Sequence, residues 1–92
     1  MMLDTIVVDR ATLTPKSVTM RQARLALRAR GLLSSVQPAI DALPADDREK
    51  AQIEWDYSNE LQRNNLFVTL LGAALGLDST AIDQLFVEAS RL

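Results

Sequence analysis

Apolar and basic side chains occupy separate stripes along the segment from Met20 to Arg30. The apolar stripe recurs every three or four positions and comprises Met20, Ala23, Ala26 and Leu27. The basic stripe has the spacing i, i+3 and i+7 and comprises Arg21, Arg24 and Arg28. Two stripes of opposite character with a period near 3.6 predict an amphipathic helix with one buried side and one exposed side.

The ends of this first helix are also marked in the sequence. Thr19 and Gln22 have the spacing of a capping box, in which both side chains bind backbone N–H groups at a helix start. Gly31 can adopt the left-handed conformation that commonly ends a helix, and Leu32 can fold back over the last turn. We therefore expect the first helix to run from about Met20 to Arg30.

Four further helices are predicted by the same periodicity, over about Val36–Leu43, Asp47–Gln62, Leu66–Leu75 and from Asp78 or Ser79 onward. The predicted caps are Ser35, Asp46 with Glu49, and the pair Asn64-Asn65. One stripe of the third helix comprises Ile53, Tyr57 and Leu61. The fourth helix is apolar almost all round, which predicts a position at the centre of the domain or in an oligomer interface.

These elements predict an all-α fold, a compact bundle of four or five short helices over residues 17–92 with an extended N-terminal arm over residues 1–16. A chain of 92 residues has room for one domain, and the helical part is that domain. Its predicted core comprises Leu27, Ile40, Ile53, Trp55, Leu70, Leu71, Leu75, Ile82, Leu85 and Phe86.

The arm has a different pattern, because its run of β-branched residues over 5–8 and the later Pro15 favour extended backbone. A hairpin, a loosely docked terminus and a strand added to the sheet edge of a partner all fit this pattern. We predict contact with another chain, with Ile6, Val8 and Leu13 as apolar anchors. The competing prediction is that the arm covers an apolar groove on its own helices.

Composition restricts the chemistry, since the chain contains neither Cys nor His. It therefore has no thiolate, no imidazole base for a serine and few of the usual zinc ligands. Glu54 and Asp56 diverge on the third helix, and no Gly-rich turn leads into a Lys-Ser/Thr pair. We predict that the protein is not an enzyme and has no cofactor and no metal site. No apolar run approaches the roughly 20 residues that span a bilayer, so no membrane contact is predicted.

Charge is distributed unevenly, although the net charge is only -2. Residues 1–30 carry +4 and residues 31–92 carry -6. Either the two halves face each other, or the arginine row on the first helix meets an acidic partner or nucleic acid. The negative net charge and the lack of interleaved aromatic residues argue against nucleic acid. We therefore predict that Arg21, Arg24 and Arg28 bind a protein partner. Trp55 is a core anchor or an interface anchor.

Three stretches follow one another in a characteristic order and spacing over about residues 18–88. They read VTMRQARLAL with GLL, then IEW with Tyr57 and Arg63-Asn64, and then LGAALGL followed by Ile82-Asp83 and Leu85-Phe86. In this respect the chain resembles a family of small helical proteins encoded in the tail-gene regions of bacteriophages and prophages, usually beside tail-fibre or baseplate genes. The family supplies no catalytic residues, and its shared part excludes the first 17 residues.

The resemblance implies a non-enzymatic structural or adaptor protein of the phage tail that binds a tail fibre or baseplate protein. Such a protein belongs to the virion and is assembled in the host cytoplasm. The alternative is a tail-fibre or tail assembly chaperone that is absent from the mature particle. A small DNA-binding regulator is a third hypothesis, and the apolar fourth helix is also compatible with a homo-oligomer.

Overall fold

The computed structural model describes residues 14–92. It contains, in chain order, β1 (Ser17–Thr19), α1 (Met20–Ala29), a short 3-10 turn (Leu33–Ser35), α2 (Val36–Asp41), α3 (Ala45–Tyr57), β2 (Glu60–Gln62), α4 (Leu66–Ala74) and α5 (Ser79–Ala89). The predicted helical bundle is confirmed, since 66% of the described residues are helical, in five α-helices and the 3-10 turn. The predicted anchors Ile6, Val8 and Leu13 lie outside the described residues.

Helix α1 begins and ends as its sequence predicts. The Thr19 hydroxyl accepts a hydrogen bond from the Gln22 backbone N–H at 3.0 Å, and the Thr19 N–H donates to Gln22 Oε1 at 2.9 Å. At the other end, Gly31 has a φ of 73°, and the N–H of Leu32 donates to the Leu27 carbonyl at 2.8 Å. This bond closes a Schellman motif, so the capping-box and glycine-stop predictions are both confirmed.

Strands β1 and β2 form a two-stranded antiparallel sheet that the sequence analysis missed. Val18 pairs with Leu61, and both side chains are buried. The sheet corrects the predicted end of the third helix, because α3 stops at Tyr57 and does not reach Gln62. Ser58 and Asn59 separate the helix from the strand, because both residue types favour turns over helix interiors. The next three residues form ladder hydrogen bonds with β1.

Two of the predicted helix caps are wrong. Ser35 ends the 3-10 turn and its side chain makes no capping bond. Helix α3 begins after Pro44 without a side-chain cap, so Asp46 does not cap it but lies in the first turn, where the helix dipole favours a carboxylate. The cap at Asn65 is confirmed, because its Oδ1 accepts a hydrogen bond from the Phe67 N–H at 2.8 Å.

The core lies between α1, α5 and the helices that connect them, and α1 packs most extensively on α5. Six of the predicted core residues are buried: Leu27, Ile40, Trp55, Leu71, Ile82 and Phe86. Leu70, Leu75 and Leu85 are half-buried. The prediction for Ile53 is wrong, since its side chain is 59% exposed. Helix α4 is central only on one side, because Leu66 is 66% exposed.

Candidate protein-binding surfaces

The arginine row of α1 is divided by the fold into an engaged residue and two free ones. The Arg24 guanidinium lies over the Trp55 ring, 4.1 Å from its centroid, and also donates a hydrogen bond to the Trp55 carbonyl. Trp55 is itself buried, which agrees with the core-anchor interpretation. Arg24 therefore joins α1 to α3, and this contact uses the charge that was predicted for a partner.

Arg21 and Arg28 are exposed, and neither makes a hydrogen bond or ion pair with the described residues. They are seven positions apart, which places them about 10 Å from each other along one side of the helix. These two side chains form the α1 basic face. At the end of the same helix, Arg30 is not part of this face, because it binds a carboxylate of α5.

The contact between Arg30 and Glu88 is bidentate and joins α1 to α5. Arg30 Nε and Nη2 donate to the two Glu88 carboxylate oxygens at 3.0 and 2.6 Å. The hydrogen bond from Arg30 lowers the pKa of Glu88, while the same bond raises the pKa of Arg30. This pair joins the basic and acidic halves of the chain, as one of the two charge hypotheses expects.

A second ion pair fixes the loop between β2 and α4. Arg63 Nε donates to Asp83 Oδ1 at 2.6 Å, and Arg63 Nη2 donates to the Ser79 carbonyl at 3.2 Å and to the Ser79 hydroxyl at 3.1 Å. Both side chains of the ion pair are less than one quarter exposed. The Arg63 guanidinium thus holds the loop against the first turn of α5.

An apolar groove lies between α3 and α4, on a side of the bundle that no other described element covers. We call it the α3–α4 groove; its volume is about 300 Å³ and its lining comprises Asp47, Lys50, Ala51, Ile53, Glu54, Asn65, Leu66, Phe67 and Leu70. Ile53 and Leu66, at its two walls, are both more than half exposed. Tyr57 lies one turn beyond Ile53 on α3 and is 78% exposed.

The polar side chains of the groove all belong to α3 except Asn65. Glu54 accepts a hydrogen bond from the Ser58 hydroxyl at 3.1 Å and a long one from the Asn65 amide at 3.5 Å. Asp47 and Lys50 make no hydrogen bond or ion pair with the described residues. The groove therefore combines an apolar floor with two acidic groups and one basic group along a single helix.

Sequence reasoning missed this groove because it placed Ile53 in the core, on one stripe with Tyr57 and Leu61. The signal that was present is the spacing of the apolar residues in α3, at 51, 53, 55 and 57. Positions two apart point to nearly opposite sides of a helix, so these four side chains cannot share one interior. The fold buries Ala51 and Trp55 and leaves the other two in solvent.

The gap in the core is too small to be a ligand site. The core holds a cavity of about 40 Å³ with an apolar lining that includes Leu27, Phe67 and Ile82. Small-molecule sites are roughly 300–1,000 Å³, so this cavity is a packing gap. Within residues 14–92 no group of three or more carboxylates has the arrangement of a metal site.

Within residues 14–92, no single helix is long and apolar enough to cross a bilayer. Helices α4 and α5 together have the length and composition for it, with a bend of 110° between them.

Comparisons with protein-family models, with curated proteins and with solved structures found no match to this chain. The resemblance to phage tail-region proteins therefore stays a prediction from the three sequence stretches.

Proposed function

We propose that this chain is a non-enzymatic adaptor of a bacteriophage tail, which binds a tail fibre or baseplate protein by protein–protein contact. The observation that carries the proposal is the α3–α4 groove. A small domain that closes its core elsewhere still leaves Ile53, Leu66 and Tyr57 in solvent. Apolar side chains gathered in one exposed groove are typical of a surface that another protein covers.

The tail as the setting comes from the sequence resemblance alone. The α1 basic face offers a second, separate surface, because no α1 residue lines the groove. Two separate surfaces are what an adaptor needs, since it must contact one protein and hold another. Ile6, Val8 and Leu13 stay predicted anchors for the same partner.

The engaged arginines weaken the hypothesis of a DNA-binding regulator. Four arginines lie between positions 21 and 30, but Arg24 stacks on Trp55 and Arg30 binds Glu88. Only Arg21 and Arg28 remain for phosphate contacts on α1, and the chain as a whole carries a net charge of -2. Non-specific DNA binding depends on the number of phosphates that a protein neutralises, so this surface supplies little affinity.

Quantitative mass spectrometry of purified particles tests the proposal. We expect the purified phage particles to contain the chain at a fixed stoichiometry. Ile53→Glu and Leu66→Glu should reduce its incorporation, because each places a charge on the groove walls. Thr69→Glu is the matched control, since Thr69 is exposed on α4, the helix of Leu66, and does not line the groove. A chain that is expressed but absent from the particles would instead support an assembly chaperone.

Deletion of residues 1–13 tests the predicted anchors. If these residues serve a partner, the shortened chain keeps its melting temperature within a few degrees but no longer co-purifies with the tail. A large fall in melting temperature would mean that they stabilise the helical domain itself, and the predicted role of Ile6, Val8 and Leu13 would be wrong.

A further inference from the structure

We infer that the α3–α4 groove binds a second copy of this chain, so that two α3 helices pack antiparallel across a two-fold axis. The inference rests on the proposed function in taking the groove as a protein-binding surface. A second copy then covers the groove of each chain, and the α1 basic face stays available for the tail protein. The argument depends on the order of charges along α3.

In an antiparallel pair of identical helices, each residue lies opposite a residue of the second copy, and the two residue numbers always add up to the same total. When the axis passes at the level of Gln52, Lys50 lies opposite Glu54 of the second copy, and Glu54 lies opposite its Lys50. The same register places Asp47 opposite Tyr57. Two reciprocal ion pairs and two phenol-to-carboxylate hydrogen bonds follow from this single choice of axis.

The side chains that this arrangement needs are available. Glu54 accepts its hydrogen bonds from Ser58 and Asn65 through Oε2, so its Oε1 is left for the second copy. Lys50, Asp47 and Tyr57 make no hydrogen bond or ion pair with the described residues. Gln52 does not obstruct the axis, because it lies on the other side of α3 and hydrogen-bonds Gln37 of α2 and Asp56. The two-fold axis therefore crosses α3 between Lys50 and Glu54, on the side of the helix that lines the groove.

The apolar part of the surface is compatible with the same pairing. Ile53 and Leu66 stand on either side of the charged row, and Leu70 completes the floor. An isologous interface needs a patch that is complementary to itself, with apolar area for affinity and paired charges for register. This groove has both, whereas the α1 basic face carries charge of one sign only and would repel a second copy.

Sedimentation velocity on the full chain over a concentration series tests the inference. We expect reversible dimerisation in the wild type. Lys50→Glu and Glu54→Lys should each weaken dimerisation by about tenfold or more, because each places like charges opposite one another. The double variant Lys50→Glu/Glu54→Lys should dimerise within about threefold of the wild type, since the pairs are restored with reversed signs.

Mixing the two single variants gives the sharpest readout. In a mixed dimer, positions 50 and 54 are both acidic in one chain and both basic in the other, so each acidic group lies opposite a basic one. The heterodimer should therefore form although neither variant dimerises alone. Arg48→Glu and Glu49→Lys are the matched controls, because they make the same charge changes at exposed positions of α3 that do not line the groove. Helix content by circular dichroism confirms that each variant is folded.

Three results would overturn the inference. The first is a wild-type chain that stays monomeric at every concentration. The second is a single charge reversal without effect, and the third is a mixture of the two variants that does not associate. If a monomeric wild type shows altered NMR signals for Ile53 and Leu66 after deletion of residues 1–13, the groove instead holds the N-terminal residues of the same chain.

The outcome is separable from that of the proposed function. A monomeric chain whose incorporation into particles depends on Ile53 would overturn the dimer and keep the adaptor, with a tail protein in the groove. A dimer that is absent from particles would keep this inference and overturn the adaptor.

Discussion

Helices α1 and α3 are joined by the contact of Arg24 with Trp55, yet they are specified in different ways. Helix α1 starts with a capping box, ends in a Schellman motif and buries a single apolar stripe. Helix α3 starts without a side-chain cap, ends at an extended Ser58 and buries only Ala51 and Trp55. The more exposed helix is also the one that lines the apolar groove.

The difference arises from the spacing of the apolar residues. In α1 they recur at intervals of three and four, so local sequence alone determines the buried side. In α3 they recur at intervals of two, so they point to different sides and the neighbouring helices determine which are buried. Four comparisons between matched positions test this account, from the largest expected effect to the smallest.

The same substitution at two isoleucines should have very different effects. Ile40 on α2 is fully buried, so Ile40→Ala should lower the free energy of unfolding by about 2–5 kcal/mol. Ile53→Ala should change it by less than about 0.5 kcal/mol, because that side chain is already in solvent. Chemical denaturation at concentrations where the chain is monomeric measures both values. Equal losses would mean that Ile53 is buried in the isolated chain and that the groove is closed.

Replacement of two arginines of α1 by alanine should also have different effects on the free energy of unfolding. Arg24→Ala should cost about 1–2 kcal/mol, since it removes both the stacking on Trp55 and the hydrogen bond to its carbonyl. It should also change the Trp55 fluorescence emission. Arg21→Ala should cost less than about 0.5 kcal/mol and leave the emission unchanged. If the two variants were equally stable, Arg24 would be as free for a partner as Arg21.

Helix caps offer the third comparison. Thr19→Ala removes a capping-box hydroxyl and should lower the free energy of unfolding by about 1 kcal/mol. Ser35→Ala should have a smaller effect, because the Ser35 side chain makes no capping bond at the start of α2. Thermal unfolding of both variants measures the difference. A larger loss at Ser35 would contradict the observed start of α2.

The pH dependence of the Arg30–Glu88 pair gives the smallest expected effect. Its hydrogen bond lowers the pKa of Glu88 in the folded chain below the ordinary value of 4.5. The pair therefore stabilises the fold above the unfolded-state pKa, and this contribution is lost as the pH falls through the folded-state pKa. Both side chains are partly exposed, so solvent screens the effect. Glu88→Gln and Arg30→Ala should both flatten this part of the pH profile of unfolding, because either change removes the pair.

The parts of the fold that the sequence predicts correctly depend on neighbours within a few residues. The capping box of Thr19, the glycine stop at Gly31 and the cap at Asn65 are all of this kind. Strand β2 is different, because residues 60–62 are extended through pairing with β1, which is distant in sequence. A helical pattern continued through Leu61 therefore extends α3 too far.

The candidate site is harder to predict for the same reason. The α1 basic face follows from spacing, but the loss of Arg24 from it depends on the position of Trp55, 31 residues away. The α3–α4 groove depends on which side of α3 faces α2 and which faces α4. No local pattern contains this information, so periodicity alone places the exposed Ile53 in the interior.

The pairing of β1 with β2 also has a consequence for the order of events during synthesis. Val18 leaves the ribosome long before Leu61, with which it pairs in the folded chain, where both side chains are buried. Helix α1 can form early because its caps are local, but the strand that precedes it stays without its partner until α3 has been made. Synthesis at about 5–20 residues per second separates the two strands by seconds, whereas a helix forms in about a microsecond. A nascent chain that has stopped within α3 therefore presents Val18 to solvent, where a chaperone or another strand edge can reach it.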